Sequence, residues 1–203
     1  RKKIMIDSTP PLPFTIALDN DGDATNPAPK LRFATTDAAS GVDRYEIKVG
    51  PETKKATAEE MAKGYFELGP LLPGEYQANV LAFDKADNAA SSTLRFYVDA
   101  LKAPIISTIP AVIDRNTELL VSGSSFYPRI TARLFIAKPN EPPVTVDVAT
   151  DDQGNWIVIH KEKLDKGNYE VWARLNDARR AQSMDSATHL LPVLSPSIVQ
   201  TSG

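Results

Sequence analysis

From Tyr76 the chain alternates in polarity: Tyr76, Ala78, Val80 and Ala82 fall on one phase, and Gln77 and Asn79 on the other. That period of two predicts a strand with one buried face. The same phase returns later, with Tyr169, Val171, Ala173 and Leu175 inward and Glu170, Arg174 and Asn176 outward. Each run opens on Gly-x-Tyr and closes on Asp at the same spacing, Gly74–Tyr76–Asp84 and Gly167–Tyr169–Asp177. Further short runs behave as strands: "FTIAL", "KLRFATT", "RYEIKV" and "TLRFYV", then "ELLVSG", "ITARLFIA", "VTVDVAT" and "NWIVIH". Clusters of Pro, Gly, Asn and Asp separate them at roughly 8–12 residues, the rhythm of a sandwich. Only "TAEEMAKG" reads as a helix, with Thr57 and Glu60 as a capping box and Gly64 as its stop.

The repeated Gly-x-Tyr has a physical reading. A Gly lets the chain turn, and a Tyr two residues on can tie its hydroxyl back to the backbone of that turn, a tyrosine corner. Tyr76 and Tyr169 are the expected structural residues. Two corners imply two sandwiches, so the expected fold class is all-β, with domains at 1–99 and 104–194 and a tail or linker at 195–203. The joint from Ala100 to Ala103 contains neither Gly nor Ser, which predicts a short, stiff link holding the domains end to end.

Taken together, these stretches resemble a tandem of bacterial immunoglobulin-like, or fibronectin III-like, modules of cell-surface and secreted proteins. In the first unit the matching residues are "DSTPPLPFTI" at 7–16, "TDAASGVDRYEI" at 36–47, "LPGEY" at 72–76 and "AFDKADN" at 82–88. The last of these usually reads Asp-x-x-Gly-Asn, and here Asp87 stands in the Gly position. In the second unit the matches are "LVSGSS" at 120–125 and "DQGNW" at 152–156. The resemblance implies two tandem immunoglobulin-like β-sandwiches in an extracellular or cell-surface protein, with other domains of the same longer chain as immediate partners.

Composition narrows the function classes. The 203 residues carry a net charge of −3, from 23 basic and 26 acidic side chains, without the basic surplus that holds a nucleic-acid backbone. With no cysteine, disulfides, thiolate metal sites and a cysteine nucleophile are excluded. No apolar run approaches the ~20 residues of a membrane span. The chain opens at "RKKIMIDSTPP" without an initiator Met, so we read it as a fragment whose targeting segment lies elsewhere. His160 and His189 stand in separate strand contexts without triad spacing. Neighbouring carboxylates such as Asp151–Asp152 and Glu59–Glu60 point apart. Catalysis is not expected.

The chemistry that remains is acidic and lies in loops. Threading the first unit as such a sandwich gathers Asp7, Asp37, Asp84, Asp87 and Asn88 at its entry pole. Asp19, Asp21 and Asp23 fall at the exit pole, expected to face Asp177 of the second unit. These are hard oxygen donors, and calcium is the cofactor they would take. Ordinary Asx turn chemistry is the competing account of the same residues. "DNDGD" fails as an EF-hand loop, because Ala24 occupies the Gly position and Lys30 that of the bidentate Glu.

Aromatic residues give a second candidate. Trp172 falls on the outward phase, between Glu170 and Arg174, as Leu81 and Phe83 do in the first unit; Trp156 is expected in the core. An outward Trp can stack on a sugar or fill a partner's pocket, or lie beneath an Arg stem. An isopeptide cross-link is not expected, since Lys30 and Lys48 lie on polar phases and no strand reads with Lys on its apolar face. The expected function is a non-catalytic structural or adhesive spacer of an extracellular bacterial surface protein. The alternative is a carbohydrate-binding or protein-docking accessory module, with a glycan or cell-surface protein as partner.

Overall fold

The computed structural model describes residues 7–195. The expected tail therefore lies, from residue 196 onward, outside the described residues. The chain divides into two compact units, residues 1–99 and 100–203.

The first unit contains β1 (Ala17–Asp19), β2 (Lys30–Arg32), β3 (Val42–Val49), β4 (Glu52–Thr57), β5 (Phe66–Glu67), β6 (Gly74–Asp84) and β7 (Ala89–Val98). One sheet runs in the order β1-β2-β5 and the other β4-β3-β6-β7, with every pairing antiparallel. Alternation along β6 places Ala78, Val80 and Ala82 at zero exposure, in one core with Leu31 of the facing sheet, Phe33 just past it, and Tyr45, Ile47, Phe96 and Val98 from the neighbouring strands. The small side chains of β6 leave room for those aromatic rings.

The predicted helix is shorter than its pattern. A single 3-10 turn spans Glu60–Lys63 and ends at Gly64 with φ 84°. The capping box closes as expected: Thr57 N–H donates to Glu60 Oε2 at 2.7 Å, and Glu60 N–H to Thr57 Oγ1 at 3.1 Å. Only Met61 is buried there, so one apolar contact has no second turn to extend it. β4 corrects another expectation. Lys54 pairs with Ile47 and shares the inward phase of Ala56, yet it is exposed, because the facing sheet has strands of only two or three residues.

The second unit contains β8 (Ile105–Thr108), β9 (Ile113–Asp114), β10 (Leu119–Ser124), β11 (Thr131–Ala137), β12 (Val144–Ala149), β13 (Asn155–His160), β14 (Gly167–Asn176) and β15 (His189–Leu194). Its sheets run β13-β10-β8 and β12-β11-β14-β15-β9, with β9 joined to β15 in parallel. Trp156 is 3% exposed and lies in the core. It packs on Gly123, where an added Cβ would come within 2.4 Å of the indole and 2.1 Å of the Ile105 carbonyl.

Strand order is the same in both units. β8, β10 and β13 stand where β1, β2 and β5 stand, and β12-β11-β14-β15 repeat β4-β3-β6-β7. Both are β-sandwiches of the immunoglobulin/fibronectin III-like kind. Each carries its corner: the Tyr76 hydroxyl donates to the Leu72 carbonyl at 2.8 Å, and the Tyr169 hydroxyl to the Asp165 carbonyl at 3.0 Å.

Each unit is also entered and left at opposite ends. In the first, the Asp7 carbonyl accepts the Asn88 side chain beside Asp84, at one end of β6, while Val98 pairs with Gly74 at the other. In the second, Leu101 bridges Ser183, next to the turn after β14, while Val193 pairs with Gly167 at the strand's far end.

Candidate metal centre

Three turns are built alike, and comparison isolates what is special about one of them. Asp84, Asp151 and Asp177 each accept the backbone N–H groups two and four residues on through Oδ1, at 2.8–2.9 Å. Their own N–H groups donate to the carbonyls of Asn88, Asn155 and Ala181. The third residue after each Asp has positive φ: Asp87 at 62°, Gly154 at 82° and Arg180 at 74°. Asp87 thus adopts the conformation its Gly position demands, as Asp does more readily than most residues. Turn chemistry alone explains Asp177, whose Oδ2 pairs with Arg179 at 2.8 Å.

Asp84 differs by being fully buried. Carboxylate oxygens of Asp7, Asp37 and Asp84 lie within 4.8 Å of one another, the one such group of three among the described residues. Asp84 comes from the end of β6, Asp37 from the loop between β2 and β3, and Asp7 from the approach to β1. Asp37 Oδ1 collects the N–H groups of Ala39, Ser40 and Gly41 at 2.8–3.1 Å. Asp7 Oδ1 accepts the Thr9 N–H at 3.0 Å, while its Oδ2 is buried with no hydrogen-bond partner.

Hydrogen bonds favour the ionised forms of Asp37 and Asp84. Those from Gly41 and Ser40 hold Asp37 below the usual carboxylate range. Burial pushes Asp84 up, but the Asn88 side chain and the N–H groups of Asn88 and Ala86 outweigh it, and the net direction is down despite the nearby Asp37. Ionised oxygens this close repel, and a divalent cation between them offsets the repulsion. Calcium binds oxygens at ~2.3–2.6 Å, so two ligand atoms across one ion stand up to ~5 Å apart. The separations fit. Six to eight oxygens are needed, so waters or backbone carbonyls would complete the shell.

The remaining nominated donors are placed otherwise. Asn88 turns Nδ2 toward the cluster, donating to Asp84 Oδ2 at 2.8 Å and the Asp7 carbonyl at 3.3 Å, so it braces the carboxylates as a donor. Asp87 points away and pairs with Arg44 at 2.9 Å. Asp19 pairs with Arg32 and Asp21 with Lys30, while Asp23 accepts the Thr25 N–H at 2.8 Å. Cations and turn bonds thus engage the carboxylates of the β1–β2 loop, and they form no three-carboxylate group. Arg44, which also lies 4.3 Å from the Phe83 ring centroid, escaped the sequence reading because its link to Asp87 crosses from β3 to the β6–β7 turn.

Trp172 lies on the outer face of β14, half-buried. Its ring stacks on Phe135, directly opposite on β11, with centroids 5.1 Å apart and planes 1° from parallel. Arg174 reaches over Phe135 and is held by Asp185 at 2.7 Å, and Arg133 is held by Asp147 at 2.6 Å. Trp172 therefore belongs to a cross-strand platform rather than standing free. Phe135 was readable from the outward phase of "ITARLFIA", which alternates with the buried Ala132, Leu134 and Ile136.

No protein-family model matches the chain, and no curated protein matches it. Among solved structures, the FN1–FN3 domains of chicken CNTN1 are 17% identical, with 96% of this chain and 71% of that one covered, at a TM-score of 0.34. The chicken interferon gamma receptor alpha chain is 11% identical over 92% of this chain and 99% of its own, at 0.39. A tetra-tandem repeat from the extending region of a large adhesion protein is 17% identical over 91% and 50%, at 0.35. Strand order and the two tyrosine corners define the fold.

Proposed function

We propose that this chain is a non-catalytic structural module, a spacer or adhesive segment of an extracellular bacterial surface protein, with other domains of a longer chain as its neighbours. The observation that carries this reading is the path of the chain, which enters each sandwich at one pole and leaves at the other. A unit traversed in that way adds the length of its longest strands to whatever it joins. At ~3.3 Å per residue, the 11 residues of β6 and the 10 of β14 supply most of that length. Calcium at Asp7, Asp37 and Asp84 would fasten the approach to β1 onto the sandwich at the point where the chain arrives. Its motive is the buried, partnerless Oδ2 of Asp7 beside two ionised carboxylates.

The outward Phe135–Trp172 stack favours a second reading, an accessory module that presents an aromatic platform to a glycan or protein. One screen separates the two. The chain and its Trp172→Ala variant are applied to a glycan array and to immobilised cell-surface extract. A spacer retains nothing in a Trp172-dependent way, whereas capture that disappears in Trp172→Ala supports the accessory module and overturns the spacer.

A further inference from the structure

The two units differ in how their first strands are fastened. In the first unit, β1 pairs only with β2, over three residues. The approach to it adds Leu12 N–H to the Thr36 carbonyl at 2.9 Å, the Thr35 hydroxyl to the Leu12 carbonyl, and Asn88 Nδ2 to the Asp7 carbonyl. Among the described residues, no backbone hydrogen bond joins the segment 7–19 to β7. In the second unit the first segment is tied to both sheets. β8 pairs with β10, and β9 pairs in parallel with the last strand, Ile113 against Val193 and Asp114 against Leu194. Arg115 N–H adds a bond to the Leu194 carbonyl at 3.0 Å, and Leu101 N–H one to the Gln182 carbonyl at 2.9 Å.

We infer that the second unit is the stronger element under tension, and that the first yields before it when the chain is pulled from its ends. Force enters a unit at its first segment and leaves at its last, from opposite poles. Where those segments run parallel and pair directly, pulling slides them past one another, and the bonds between them share the load and must fail together. In the first unit, with no cation bound, the first segment can slide out once its β2 ladder, the Asp19–Arg32 pair and the three tethers of its approach break. Forced unfolding follows the barrier to rupture rather than equilibrium stability, so this arrangement sets the order. The inference takes its biological meaning from the load-bearing spacer reading, but the force order stands on the strand pairing alone.

Single-molecule stretching of the whole chain tests it. A ten-residue Gly-Ser insertion at the exposed Glu162–Lys163 step lengthens the second unit's extension by about 35 Å, at ~3.5 Å per residue, and so labels its rupture. Arg115→Pro removes one clamp donor at the second position of the turn that Thr117 N–H closes onto the Asp114 carbonyl, a position that proline favours. The expected record has the unlabelled extension at the lower force, and Arg115→Pro lowers the upper force alone. A labelled extension in the lower-force event, which needs no clamp variant to observe, overturns the inference. So does an unchanged upper force in an Arg115→Pro chain whose circular dichroism is native. A reversed order leaves the spacer reading standing, whereas Trp172-dependent glycan capture removes that reading and not this one.

Discussion

Asn88 donates its side-chain amide to Asp84 Oδ2 at 2.8 Å, a tighter version of the Asn155–Asp151 bond at 3.4 Å, and burial beside Asp7 and Asp37 is what separates this turn as a candidate site. The equivalent position after Asp177 is Ala181, which has no side-chain donor, and there Arg179 takes Oδ2 instead. Around Asp84 no cation fills that role among the described residues. The amide neutralises nothing, and Asp7 and Asp37 add charge.

Replacing that donor exposes the electrostatics. Asn88→Asp sets a fourth carboxylate against Asp84, so the first unit should melt lower in chelator and recover much of the loss in millimolar calcium. Thermal unfolding under both conditions checks this. Equal destabilisation with and without calcium would argue against a cation at this pole.

Acid should release the same pole. Asp37 and Asp84 are held below the ordinary carboxylate range, so their contribution is complete above an unfolded pKa of about 4 and is lost as pH falls through the lower folded values. Unfolding followed from pH 6 to pH 2 should show full stability at pH 5 and a loss below about pH 4 that Asp37→Asn makes shallower. A stability that rises on acidification would contradict the ionised cluster.

The two corners can be weighed against each other. Tyr76→Phe and Tyr169→Phe each remove one hydrogen bond to a turn carbonyl, with an expected cost of about 1 kcal/mol in urea unfolding. Tyr76 keeps its stacking on Phe96, 5.6 Å between centroids, and that contact is indifferent to the hydroxyl. A loss well above this value would mean that the corner fixes the whole turn rather than one bond.

The turn residues predict a gain. Arg180 holds φ 74° without the freedom of Gly, and Arg180→Gly should stabilise the second unit by up to about 1 kcal/mol. Asp87→Gly should gain less, because it gives up the pair with Arg44. Gly154→Ala should lose stability, since its Cβ would meet the Ser125 carbonyl at 2.3 Å.

Alternation along β6 and β14 was enough to fix which side of each strand faces the core, because a period of two leaves no choice once one face is buried. Asp84 and Asp177 were visible as repeated positions for the same reason. Their different surroundings were not, since Asp7 lies 77 positions from Asp84 and Arg44 meets Asp87 only across the β3–β6 pairing. The orientation of Asn88 was equally hidden: a side chain that can donate or accept shows its role only when its neighbours are in place. The helix over 57–64 failed on length, because caps were present but one buried Met could not sustain a second turn.

The pole-to-pole path is the central claim, and a distance across one unit tests it most directly. The chain has no cysteine, so spin labels on Thr9→Cys and Asp99→Cys report a single distance across the first unit. With 11 residues in β6 between the two poles, pulsed electron spin resonance should give a narrow distribution near 30–40 Å, from ~3.3 Å per residue. A distribution centred below about 20 Å, some six residues of strand, would place entry and exit on the same side of the sandwich and contradict the spacer.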